Sequence, residues 1–262
     1  MQTKDIQGKL WSSAPADWAK YLEPTFIPMY HNVLSQIQLD EEKMLLDAGC
    51  GSGLFLSMAA ATGAVVHGID AAPGLLAISK ERLPGTTLLI EDLEALPFID
   101  GTFDVVTGFN SFQYAGSFEN ALAEAARVVK KNGKVVVGIW GKEEVCESAT
   151  VHRAVIDLLP PPPPGTPGPF ALSEEGKIES FCKSAGLKVI NKQTIFCPWQ
   201  LTGDDALLAA FMCTGPCVKT ADIVGEEAVH NAIITSAQPY GITDDVYYMK
   251  NYLTVFITEK IS

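Results

Sequence analysis

The residues able to do chemistry in this sequence gather where short apolar runs end. In Leu45-Leu46-Asp47-Ala48-Gly49-Cys50-Gly51-Ser52-Gly53-Leu54-Phe55, alternating glycines join one apolar run to the next. Glycine lets a backbone turn sharply and lie against a ligand with no Cβ in the way. A dinucleotide fingerprint needs glycine at its first, third and sixth positions, here Gly49, Gly51 and Leu54. Leu54 breaks that pattern. Asp47, just before the turn, suits an ammonium or sulfonium better than a pyrophosphate. Asp70 closes the apolar run 65–70, where a carboxylate can accept ribose hydroxyls. Asp92 follows the run 86–90, where it can accept the exocyclic amine of an adenine, and Asn110 follows the run 103–108. Taken singly, such acids are commonly solvated loop residues or helix caps. In consecutive units of one sheet they form a rim around one ligand.

The elements that must position them alternate regularly. Apolar runs at 44–48, 65–69, 86–90, 103–108 and 134–139 predict strands, with helices at 54–61, 74–82 and 119–129 between them. Strands separated by helices imply right-handed crossovers and a mostly parallel sheet covered on both faces. The first forty residues predict a helical arm carrying Trp11, Trp18, Tyr21 and Phe26, broken by Pro15, Pro24 and Pro28. A helix is expected over 145–159, ending at Pro160–Pro164, a stiff surface spacer with Pro167 and Pro169 beyond it. Ser173 is expected to cap a helix running to Ala185, followed by a strand at 187–199, helices at 204–213 and 221–236, and a last strand at 247–258.

The motifs together resemble class I S-adenosylmethionine-dependent methyltransferases, of the small-molecule group containing the ubiquinone and menaquinone biosynthesis enzymes. The matching segments are 45–53, Gly68-Ile69-Asp70, Glu91-Asp92-Leu93 with Leu96-Pro97-Phe98, Phe103-Asp104-Val105-Val106, and 126–134. The family usually has proline and paired glycines before the fifth strand, where this chain has Lys131-Asn132-Gly133-Lys134. The resemblance implies a Rossmann-like, doubly wound α/β sheet of seven strands, the last antiparallel and inserted beside the fifth. It also implies S-adenosylmethionine as cofactor, held by Asp47, Gly49, Cys50, Gly51, Gly53, Asp70, Ala71, Asp92, Leu93 and Asn110. Trp18, with Trp11 and Tyr21, is expected to close over the sulfonium, because aromatic faces attract cations.

The expected reaction is in-line methyl transfer to a small, partly hydrophobic acceptor, driven mainly by positioning. No general base is decisive; His31, His152 and Tyr240 are the candidates, and His67 is expected to be a packed strand residue. The place after the fourth strand reads Asn110-Ser111-Phe112-Gln113, which disfavours the amino-methyltransferases that modify bases. Insertions at 141–172 and 201–241, carrying Phe170, Phe211, Met212 and Tyr240, are expected to select the acceptor as lids on a single domain spanning 1–262. The arm is 1–40, the cofactor core 41–140, and the remaining core 173–200 and 242–262. Two other readings share the fold: an enzyme that binds the cofactor but catalyses cyclisation, rearrangement or elimination, and a cofactor-binding scaffold.

Composition narrows the partners. Of 262 residues, 47% are hydrophobic, and 19 Lys and Arg against 31 Asp and Glu give a net charge of −12. Such a chain affords a large core and repels phosphate backbones, so no nucleic-acid partner is expected, nor membrane insertion. Cys50, Cys146, Cys182, Cys197, Cys213 and Cys217 lack metal-site spacing, and only Cys213 and Cys217 lie near each other. No metal is expected, and the cysteine usage suits the reducing cytoplasm. The protein is expected to be a monomer or a homodimer.

Overall fold

Aliphatic and β-branched runs form a seven-stranded sheet in the computed structural model, which describes residues 3–161, 170–243 and 245–261. Its strands, with three others, are β1 (Met44–Ala48), β2 (Val65–Asp70), β3 (Thr87–Ile90), β4 (Phe103–Phe109), β5 (Val129–Trp140), β6 (Leu187–Phe196), β7 (Trp199–Thr202), β8 (Gly241–Thr243), β9 (Val246–Met249) and β10 (Tyr252–Lys260). The main sheet runs β3-β2-β1-β4-β5-β10-β6, and β7, β9 and β8 make a small second sheet. β1 to β5 pair in parallel, whereas β10 lies antiparallel between β5 and β6, as the family resemblance implies. The strand order reverses between β1 and β4. In open α/β sheets the ligand crevice lies at such a switch point, beyond the carboxyl ends of the strands.

Local chemistry explains where the sequence-based boundaries shift. The expected strand at 187–199 ends at Phe196, because Pro198 has no N–H to give a ladder, and β7 starts afresh at Trp199. The expected last strand at 247–258 divides into β9 and β10 at Asn251, whose fully buried side chain is taken by another element. Its Oδ1 accepts from the Ser148 amide at 3.0 Å and from the Ser148 hydroxyl at 2.7 Å, at the start of helix Ser148–Ile156. The helix expected over 221–236 breaks at Gly225 (φ +91°) into Gly215–Val224 and Glu226–Ala237. Ser173 caps no helix; its hydroxyl donates to the Trp140 carbonyl at 2.8 Å, and Gly176 precedes helix Lys177–Ser184. The expected spacer falls, from residue 162 onward, outside the described residues.

The arm is better integrated than its prolines suggest. Pro15, Pro24 and Pro28 each stand in the first turn of a helical segment, where no N–H is needed, and so start turns. Leu22, Phe26, Met29, Tyr30, Val33 and Ile37 are buried in the core on one side of the sheet. This anchors helix Ile27–Ile37 and leaves helix Thr3–Trp11 and the turns up to Phe26 lying over the switch point. No single helix among the described residues is long and apolar enough to cross a membrane; Gly203–Met212 and Gly215–Val224 reach that length only together, across a 95° bend.

Candidate functional site

The turn after β1 is built by glycine's freedom at two places. Gly49 (φ +86°) leaves no room for a side chain, since a Cβ there would stand 2.2 Å from the Ser111 Cβ. Gly53 (φ +82°) opens helix Leu54–Ala60, and its Cβ would stand 2.4 Å from the Ser79 hydroxyl. The amides of Gly49 and Cys50 both donate to the Ile69 carbonyl, at 2.8 and 2.9 Å, which fastens the turn to β2. Gly51 faces outward and meets the Trp18 indole nitrogen, 3.5 Å from where its Cβ would be.

Carboxylates hold this turn in shape. Asp70 accepts from the Gly51 and Ala72 amides, both at 2.8 Å. Burial pushes its pKa up and these backbone bonds pull it back. A carboxylate has about four acceptor sites, so Asp70 retains capacity for a diol. Asp92 accepts from the Glu94 amide at 3.0 Å, which orients its carboxyl beside Leu93. Asp47 is only 2% exposed and accepts from the Thr107 hydroxyl at 2.6 Å. Burial drives its pKa up to about 7, against the Thr107 bond, with the Asp70 and Glu23 charges adding to the rise.

Three of the expected contacts lie behind the turn. A cavity of about 100 Å³ is lined by Trp18, Gly49, Gly51, Asp70, Ala71, Asp92, Leu93 and Asn110 among others, but Asp47, Cys50 and Gly53 do not reach it. Asp47 and Cys50 are buried beneath the backbone, and Gly53 packs on Ser79. Among the described residues, two polar atoms at this cavity are buried without a partner: the Asn110 side-chain carbonyl and the Trp18 indole N–H. Asn110 sits at φ +49°, its amide donating to the Gly138 carbonyl at 2.8 Å. Leaving two such groups unpaired costs about 1–3 kcal/mol each, so this cleft is built for a ligand that pairs them. At about 100 Å³ it is smaller than the roughly 300–1,000 Å³ of ordinary ligand clefts, with Trp11 and Trp18 closed over it.

Sequence reasoning missed the clamp on this site. Glu23, 2% exposed, accepts from the Leu54 amide at 3.2 Å and pairs with Arg82, whose guanidinium also donates to the Ser52 carbonyl at 2.9 Å. Thr3, Lys4 and Gln7 of the first helix also line the cavity, and Gln7 accepts from the Trp11 indole at 3.0 Å. The available signal was Gly8, a glycine inside a helix: its Cβ would stand 2.3 Å from the Ala71 carbonyl, so the helix lies directly on the β2 end.

A second cavity of about 550 Å³ adjoins the first and shares Trp11, Trp18, Asn110, Tyr114 and Ala115 with it. Trp11 meets Trp18 and Tyr114 edge-on at 5.3 and 5.2 Å between ring centroids. Phe170 lines this cavity as well, whereas Tyr21 lines neither and holds Lys20 at 2.7 Å. His31 is exposed on helix Ile27–Ile37, and Tyr240 borders an open groove elsewhere, so neither candidate base faces the cleft. His152 lines the second cavity but not the first. His67 packs against Phe98 and Phe103, as expected of a strand residue. Cys213 and Cys217 fall on either side of a helix break. Both are buried, and burial pushes both thiols up, Cys217 to about 11.

Comparisons with known proteins point to the same segment. Residues 46–137 match the model of a family described as a methyltransferase domain. The malonyl-[acyl-carrier protein] O-methyltransferase of Serratia marcescens is 34% identical over 94 residues, covering 36% of this chain and 37% of that protein. The demethylmenaquinone methyltransferase of Thermus thermophilus is 40% identical over 101 residues, covering 36% and 46%. The chain therefore spans less than half the length of either relative. The fold, at 13% identity, is similar to that of geranyl diphosphate C-methyltransferase from Streptomyces coelicolor, solved with Mg²⁺, geranyl diphosphate and S-adenosyl-L-homocysteine. That likeness has a TM-score of 0.51 and covers 88% of this chain and 78% of that one. The stretch 46–137, which contributes to β1 through β5, is thus the part of the chain similar to methyltransferase domains.

Proposed function

We propose that this chain is an S-adenosylmethionine-dependent methyltransferase acting on a small, partly hydrophobic acceptor. The observation that carries the reading is the joining of two cavities. One is a cleft at the sheet's switch point with unpaired Asn110 and Trp18 atoms, and it opens through shared tryptophans into an aromatic chamber. The residues present fit the cofactor. Asp70 retains acceptor capacity for the ribose, Asp92 and Leu93 border the adenine side, and Gly49 and Gly51 let the backbone approach. Asn110 and the Trp18 N–H complete the polar set, and the Trp11, Trp18 and Tyr114 faces suit a sulfonium. Asp47 acts from beneath the turn, through its field.

The bound cofactor supplies an activated methyl group; the chain's own work is to hold it in line with a nucleophile and exclude water. The chain is read as one domain in which the arm covers the cleft and the segment after β5 helps to wall the acceptor chamber. Six free, buried cysteines support a reducing setting, the cytoplasm.

Isothermal titration with S-adenosylhomocysteine, followed by incubation of the enzyme with a metabolite extract and methyl-deuterated cofactor, tests the reading. A metabolite heavier by one labelled methyl group is the expected result, lost with Asp70→Ala. No cofactor binding, or turnover with the label retained on the cofactor, overturns it.

A further inference from the structure

All four tryptophans of the chain, Trp11, Trp18, Trp140 and Trp199, line the 550 Å³ cavity. Their rings form a continuous series. Trp11 meets Trp18 at 5.3 Å, Trp18 meets Phe26 at 6.1 Å, Phe26 meets Trp140 at 6.0 Å, and Trp140 meets Trp199 at 6.1 Å. The series starts at the cleft and ends beside His152, whose ring lies 6.5 Å from Trp199 and 4.9 Å from the buried Phe211. Walls of this kind bind flat or apolar bodies over a large area.

The polar groups at the far end define what such a body carries. The His152 Nδ1 lies 3.1 Å from the Ser148 carbonyl, which can only accept, so Nδ1 bears the proton and Nε2 the lone pair. Burial holds the imidazole neutral, its pKa lowered to about 4. The Trp199 indole N–H is buried with no partner among the described residues, on a residue only 1% exposed. One neutral acceptor and one unpaired donor thus stand on neighbouring rings. Among the described residues, the charged side chains lining the cavity are Glu119 and Lys177, both exposed and of opposite sign. An ionised ligand would enter this interior without a buried counter-charge.

We infer that the chamber takes an uncharged, flat apolar acceptor bearing a hydroxyl group, which donates to His152 Nε2 and accepts from the Trp199 indole N–H. This deepens the methyltransferase reading and rests on it, because it makes the chamber the acceptor side of that site. The anchoring hydroxyl lies at the end away from the cleft, so His152 acts in recognition. Binding there fixes which atom of the body faces Trp18 and Asn110, where transfer takes place.

The test uses the full chain with and without S-adenosylhomocysteine, and tryptophan fluorescence excited at the indole edge, since every tryptophan reports on the chamber. The probes are 4-butylphenol, its methyl ether and 4-butylbenzoate. The phenol should bind about tenfold more tightly than the ether, which cannot donate, and than the carboxylate, which has no counter-charge. His152→Phe should remove the preference for phenol over ether, and His152→Gln, which keeps an acceptor, should retain part of it. S-adenosylhomocysteine affinity should be unchanged in both. Equal binding of phenol and ether by the unmodified chain, or tightest binding of the benzoate, overturns the assignment whatever the variants do. Because the probes are also titrated without S-adenosylhomocysteine, a failure of the cofactor to bind is seen separately and counts against the methyltransferase reading alone.

Discussion

Asp47 carries a charge where charge is costly: burial lifts its pKa to about 7, so near neutrality it is a mixture of acid and carboxylate. A cation lying across the glycine turn would favour the ionised form, so cofactor binding at pH 7 should release a fraction of a proton. Titrations in buffers of different ionisation enthalpy read that fraction, and a heat independent of buffer would remove Asp47 from the electrostatics of the site. Asp47→Asn should stop the release and weaken cofactor binding while raising the thermal stability of the free protein, because a buried charge is replaced by an amide. The motif was legible from spacing, since a carboxylate one residue inside a strand end, followed by alternating glycines, is a local pattern. Its orientation was not. Whether Asp47 and Gly53 face the cleft or the sheet depends on partners from distant parts of the chain, Thr107 paired beside Asp47 on β4 and Ser79 packed against the left-handed Gly53.

At the scale of elements, the strand and helix alternation between residues 44 and 140 follows from apolar periodicity; β1 to β4 form within a residue of where the pattern puts them, whereas β5, expected at 134–139, starts at Val129. The elements that went astray were decided by side chains far away in sequence. Asn251 is drawn out of a strand to hold Ser148, and the arm is tied down by Glu23. The Glu23–Arg82 pair joins the arm to the helix after β2 and to the glycine turn, so closure of Trp11 and Trp18 over the cleft depends on it. Its carboxylate is almost wholly buried while Arg82 is about a quarter exposed. Removing one partner of a fully buried pair costs about 3–5 kcal/mol; the solvent that reaches Arg82 puts this one at or below the lower figure. Glu23→Gln should lower the Tm by several degrees and speed proteolytic cleavage between residues 1 and 26, with cofactor protecting the unmodified arm more than the variant. Equal cleavage of both would mean that the hydrophobic contacts of Leu22 and Phe26 alone hold the arm.

Over the whole molecule, the buried Asp47 and the part-buried His152 give pH dependences of opposite sign. Asp47 has its pKa raised from 3.8 to about 7, so it binds its proton more tightly folded than unfolded. Its burial costs stability above pH 7, and the cost is relieved as pH falls from 7 toward 3.8. His152 has its pKa lowered from 6.5 to about 4, so the unfolded chain binds the proton more tightly, and stability is lost as pH falls from 6.5 through 4. Each shift is worth on the order of 3–4 kcal/mol, at about 1.36 kcal/mol per pH unit. The two slopes have opposite signs over nearly the same window, and acidification also reduces the repulsion of a chain with a net charge of −12. The free protein should therefore show a shallow stability profile between pH 7 and 4.5 in urea unfolding. Asp47→Asn should expose the histidine slope and make the protein acid-labile in that window. His152→Phe should do the reverse, gaining relative stability as pH falls. With both replaced, the profile should flatten again, because the opposing proton uptakes have been removed together. A single variant whose profile parallels that of the unmodified chain would show that its group titrates as it does in water.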